Sequence, residues 1–179
     1  MANNCAVDMK ITGKAKNIKE FIEMLSWKGK YEDDGLGRVF SCEYDDYDFE
    51  VTNDEDIIGV NVFLDVAWSI QSAMRKTSSR NLTTETKRLN LVVEAYSSEP
   101  GNCFQEHILI DRGDVIADEC VDYEEYWVQE YDTIEEYNAE NGTNFTEDMI
   151  NDNGDICIGG FGDQYGQFEY FGKKHFEEV

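Results

Sequence analysis

From Gly113 to Gly172 the chain has no lysine and no arginine, yet seventeen aspartates and glutamates fall in the same sixty residues. Other absences narrow the field further. No apolar run approaches the roughly 18 residues of a membrane span, and the opening "MANNCAVDMKITGKAK" has no apolar core of a signal peptide. The expectation is a soluble, cytoplasmic protein without membrane contact. The five cysteines (5, 42, 103, 120 and 157) include no C-x-x-C pair, and only two histidines accompany them. Structural zinc is therefore not expected, and buried free thiols are. None of G-x-x-x-x-G-K-[ST], G-x-S-x-G or H-E-x-x-H occurs. The loop "NDNGDICIGG" fails the calcium-loop spacing because its glycine would put Met149 in the first ligand place, though a weak surface Ca²⁺ or Mg²⁺ site is left open. No catalytic residue, cofactor or metal site is assigned, and the chain is read as a non-enzyme.

What is present is charge on an otherwise ordinary globular composition. The net charge is −24 with 41% hydrophobic residues, too much apolar material for a disordered acidic tail. Residues 31–58 carry eleven acids and one base, Arg38, and the segment from 113 to 172 carries seventeen and none. The other ninety-one residues hold eleven acids and fourteen bases. Such a field repels nucleic acid and anionic membrane and attracts basic surfaces.

Alternation in "CAVDMKIT", "IIGVNVFLDVAW", "LNLVVEAYSS", "CFQEHILID" and "DVIADECV" predicts strands, with shorter ones in "GRVFSCEY" and "YDFEV". Ile18, Phe21, Ile22 and Leu25 predict a helix capped by Asn17 with Glu20, and Ser69 is placed as the cap of a second helix. The fold class is α+β, an antiparallel sheet with helices on one face, containing a split β-α-β of the ferredoxin-like kind. Residues 1–122 form that domain. Residues 123–179 are an acidic, aromatic-rich extension packed on the main sheet, with two more short strands near its end.

Particular residues in the first part resemble a known family. Met1, Asn3 and Cys5 match an M-x-N-x-C opening, Ala67-Trp68-Ser69 an A-W-S after a central strand, and Gly101 with Phe104 a G-x-x-F turn. On these motifs, residues 1 to about 120 resemble the YubB-like ferredoxin-domain family of plasmid and phage proteins. Asn4, Ile70 and Gln71 depart from the pattern. The resemblance implies a fold and a mobile-element origin but no chemistry. It leaves Trp68 and Cys103 as core residues.

The candidate site is the acid itself. In 122–142 a helical reading sets Tyr123, Trp127, Tyr131 and Ile134 on one face and Glu125, Gln129, Asp132, Glu136 and Glu140 on the other, with Asp132 and Glu135 as capping box. Glu124, Glu130 and Glu135 belong to the same zone. In "EYDDYDFEV" alternation puts Asp46, Asp48 and Glu50 on one face of a strand. Like charges at such spacings repel, so two rows of them point to a cationic partner. The basic cluster Arg75, Lys76, Arg80, Lys87 and Arg88 is expected to pair with these zones, within the chain or between subunits of a homodimer; a monomer fits equally. The expected function is that of a mobile-element protein inhibiting a host defence nuclease, of anti-CRISPR or anti-restriction type, by occupying its basic nucleic-acid-binding surface. The alternatives are an interaction module with no defence role and an unrecognised metal-dependent hydrolase.

Overall fold

The computed structural model describes residues 4–33, 35–45, 49, 52–75 and 80–170, with backbone only at 73 and 75. Seven strands, β1 (Asn4–Lys14), β2 (Val39–Tyr44), β3 (Ile57–Ala67), β4 (Val92–Glu99), β5 (Phe104–Asp111), β6 (Asp114–Tyr126) and β7 (Ile156–Gly159), form one sheet in the order β2-β3-β1-β4-β5-β6-β7. Every neighbouring pair is antiparallel. Helices α1 (Ala15–Leu25), α2 (Leu82–Leu89) and α3 (Ile134–Asn141) complete an α+β fold.

Period-two burial decides which face each strand turns inward. Cys5, Val7, Met9 and Ile11 of β1 meet Val60, Val62, Leu64 and Val66 of β3 and Val93 and Ala95 of β4 under α1 and α2. Phe21, Ile18 and Leu25 of α1 and Leu82 and Leu89 of α2 close this core. Truncating one of them, as in Phe21→Ala, costs about 3–5 kcal/mol through lost transfer energy and a residual cavity.

The start of α1 differs from the sequence expectation, whereas Ser69 caps the second helical segment as expected. α1 begins after Lys14, whose side chain makes no capping bond; Asn17 instead donates 2.7 Å to the Leu89 carbonyl, tying α1 to α2. The second helical segment opens as a five-residue π-turn at Gln71–Arg75, with Ser69 Oγ accepting from Ser72 N. α2 has its own capping box, Asn81 with Thr84.

The last third departs most. Residues 123–126 continue β6 and are not helical, a 3₁₀ turn follows at Val128–Glu130, and only Ile134–Asn141 is α-helix. Its cap is Thr133, accepting from Glu136 N, one residue past the expected Asp132–Glu135 box. Gly142, at φ 69, ends it. Val128, Ile134, Tyr137 and Ile156 make a second small core with Tyr126, Tyr131, Phe145 and Ile150.

Of the two late strands expected, β7 forms. The chain beyond it becomes an irregular strap that crosses the sheet face opposite α1 and α2. Phe161, Tyr165 and Phe168 ring Tyr96 at centroid distances of 5.5, 5.4 and 5.7 Å. Phe161 N donates to Gln105 Oε1 and Tyr170 Oη to Asp111 Oδ2, both at 2.9 Å. Among the described residues no helix is long and apolar enough to cross a membrane.

Trp68 and Cys103 are not core residues. Trp68 is 45% exposed, Cys103 is half-buried, and both have positive φ, 71 and 53. Ser69 N bonds back to Ala67 O at 2.9 Å across Trp68, a tight and strained turn. The cysteines are free, but only Cys5 is buried. Burial pushes its thiol up to about 11, against a hydrogen bond from Ser97 and with help from Glu106.

Candidate functional site

The acidic residues of the last third sit on three kinds of backbone. Glu124 and Glu125 lie on β6 and so point to opposite sheet faces. Glu130 ends the 3₁₀ turn, Asp132 follows in the link, and Glu135, Glu136 and Glu140 ride on α3. The single helical row expected across 125–140 is therefore not formed; only Glu136 and Glu140 keep helical i, i+4 spacing. Apart from half-buried Glu125, all are exposed. Asp46, Asp48 and Glu50 lie outside the described residues. Phe49 between them has helical backbone, not the extended form of the expected strand, and packs edge-on to Tyr44 at 6.1 Å.

Sequence reasoning missed part of the surface. Asp118, Cys120, Asp122 and Glu124 occupy alternate positions of β6, one sheet face, all exposed. Two residues advance about 6.8 Å along the strand, so Asp122 and Glu124 are one step apart and Asp118 lies two steps from Asp122, past Cys120. Asp118 accepts from Gln71 Nε2 at 2.7 Å, and Tyr126 donates to Glu124. The signal was the alternation in "DECVDYE", hidden because the tyrosine spacing beyond it also suits a helix.

Asp132, Glu135 and Glu147 rim a recess of about 310 Å³ lined also by Val128, Ile134 and Ile150 of the second core. Glu135 and Glu136 lie in the first turn of α3, where the helix dipole favours negative charge. Glu140 lies in the last turn with no base beside it, which costs about 0.3–1 kcal/mol. Beside these acids, Trp127 is 58% exposed, and Met149 and Ile158 are also open to solvent.

Among the described residues, seven bases are engaged elsewhere. Lys14 and Lys16 pair with Glu55, Lys19 with Asp54, Lys30 and Arg88 with Glu20, Arg80 and Arg88 with Glu85, and Arg112 with Asp111. Burial would raise the Glu20 carboxyl, but hydrogen bonds from Tyr31, Lys30 and Arg88 outweigh it and hold the group at about 2. Arg80 and Arg88 thus serve the α1–α2 side, and both also contact Tyr31 at the start of the first acidic zone. Among the described residues, no acid from Asp122 to Glu169 joins a salt bridge.

Asn151 Oδ1 accepts from the backbone of Asn153 and Asp155, closing this loop on itself. Among the described residues no three His, Cys, Asp or Glu side chains stand close enough to hold an ion. No family model, curated protein or solved structure matches the chain.

Proposed function

We propose that the protein is a mobile-element inhibitor whose acidic last third occupies the basic, nucleic-acid-binding surface of a host defence nuclease. One observation carries this. Among the described residues, the acids from Asp122 to Glu169 form no salt bridge, those of β6 and α3 riding on ordered strand and helix, while seven bases are consumed around α1, α2 and the β5–β6 turn. Solubility does not require acids to be segregated in this way, and Glu140 sits where it opposes its own helix. A basic partner would offset both costs and release the counter-ions that the acids gather, as a nucleic acid does. Exposed Trp127, Met149 and Ile158 supply apolar contact beside the charge, the composition of an interface more than of a free surface.

The ferredoxin-like reading is part of the same proposal. The segment β1-α1-β2-β3-α2-β4 has the spatial order β2-β3-β1-β4 with helices packed on one face, which supports it. So does the kinship to YubB-like plasmid and phage proteins that the short motifs suggest. The site of action is the host cytoplasm, and the unit is a monomer or a homodimer.

The test is protection in living cells. Bacteria carrying a restriction system or a CRISPR effector are challenged with phage in the presence of the protein or of the Glu130, Asp132, Glu135, Glu136 and Glu140 to Lys variant. Rescue by the parent and none by the variant supports the proposal. Equal rescue by both removes the acidic surface from the mechanism.

A further inference from the structure

Among the described residues, the strap leaves part of the outer sheet face open, Phe63 included. It lies over β4 and β5 and reaches β1, where Tyr165 is near enough to Asp8 for that carboxylate to help burial raise the phenol's pKa. Beyond it the outer faces of β1, β3 and β2 carry a second acidic feature, separate from α3 and β6. Glu43 of β2, Phe63 of β3 and Asp8 of β1 stand in one cross-strand row, each directly opposite the next. The adjacent row is Ser41, Asp65 and Ala6, with Ser41 Oγ donating 2.7 Å to Asp65. Between the rows is a recess of about 180 Å³ lined by three carboxylates and no base. Phe63 is 56% exposed, and neither Asp8, Glu43 nor Asp65 forms a salt bridge among the described residues.

We infer that this recess is a docking site for an arginine side chain presented by a basic partner. An aromatic ring flanked by carboxylates one strand away on each side, about 5 Å, matches a guanidinium, which stacks on the ring and bonds sideways to the acids. The same chemistry already occurs within the chain. The Arg80 guanidinium lies 5.0 Å over the Tyr31 ring while its Nη1 reaches Glu85 at 3.3 Å. A bare metal ion is a poorer fit, since the three carboxylates do not converge on one point. A lysine ammonium would satisfy the charge but not the planar stacking. The inference rests on the reading above, in which a basic protein is the partner, and names the group that anchors it.

The probe is N-acetyl-arginine amide, titrated against the whole protein with backbone amide shifts as readout and N-acetyl-lysine amide as comparison. Saturable shifts at Asp8, Glu43, Phe63 and Asp65, weaker with the lysine compound, are expected. Phe63→Leu should weaken binding roughly two- to fivefold. Glu43→Gln, an exposed change that leaves the fold alone, should weaken it as well. Shifts equal for both compounds, or spread evenly over the acids of α3, overturn the site, as does unchanged titration by both variants. The Lys variant of the α3 acids should titrate like the parent. If that variant also keeps its rescue of phage while the recess still takes arginine, the earlier reading falls and this one stands.

Discussion

His107 stacks on Tyr96, ring centroids 4.4 Å apart and planes 17° from parallel, with one imidazole nitrogen 3.1 Å from Glu94 and the other 3.5 Å from Glu119. Glu94 also accepts from Tyr170 N, and Phe161 lies edge-on to the imidazole at 6.0 Å. The imidazole thus joins the strap to the sheet.

That joint should be pH-sensitive. The Glu94 hydrogen bond raises the His107 pKa against the opposing effect of burial, and Glu119 adds to the rise. The native value lies above the unfolded value of about 6.5. Stability from the charged imidazole is therefore complete below about 6.5 and is lost as pH rises through the native value. Proteolysis at 160–170 should quicken on going from mildly acidic to mildly alkaline buffer. His107→Gln should lose that dependence.

The turn at Trp68 should tolerate glycine. Trp68→Gly removes a large side chain, but one half in water on a backbone that penalises any residue with a Cβ. Stability in a denaturant titration should change by less than about 1 kcal/mol, whereas a core tryptophan would lose about 3–5 kcal/mol. Glu106→Ala, by contrast, should cost about 2–4 kcal/mol. Its buried carboxylate accepts from Ile70 N at 2.7 Å and Ser97 Oγ at 2.8 Å, and both donors would be stranded.

The α1–α2 clamp should respond to loss of Arg88. Its guanidinium bridges Glu85, at 2.6 Å, and Glu20, at 3.0 Å. Arg88→Met should cost about 1–2 kcal/mol, less than a fully buried pair because Arg88 is 43% exposed. The Glu20 carboxyl is depressed, so its contribution is present above the unfolded value of about 4.3 and lost as pH falls toward about 2. Acid unfolding of Arg88→Met should therefore begin at a higher pH than in the parent.

Strands β4 and β5 were legible because short apolar runs are buried in the middle of the sheet, and β1 and β3 because buried positions alternate with period two. The face of α1 was legible for the same reason at helical period, but not its start, since Lys14 caps through backbone alone. Residues 122–131 misled because Tyr123, Trp127 and Tyr131 repeat every four positions although the backbone is strand and then 3₁₀ turn. The strap was recognisable as aromatic, but Phe161, Tyr165, Phe168 and Tyr170 have no regular spacing. Their seat on Tyr96 depends on a sheet face that only the tertiary fold creates. Trp68 read as core because its type is usually buried, and no sequence rule foretells a strained exposed turn. The docking recess was invisible for a related reason: Asp8, Glu43 and Phe63 are brought into one row by register alone.

The central claim is that unpaired acids of the last third stand in for nucleic acid, and affinity capture from host lysate tests it most directly. The parent protein and the Glu130, Asp132, Glu135, Glu136 and Glu140 to Lys variant are each immobilised, washed at low salt, and eluted with rising salt or with competing duplex DNA. The account expects nucleic-acid-binding proteins on the parent, released steeply by salt and displaced by duplex, and absent from the variant. Capture of the same proteins by both, with elution indifferent to salt and duplex, would contradict it.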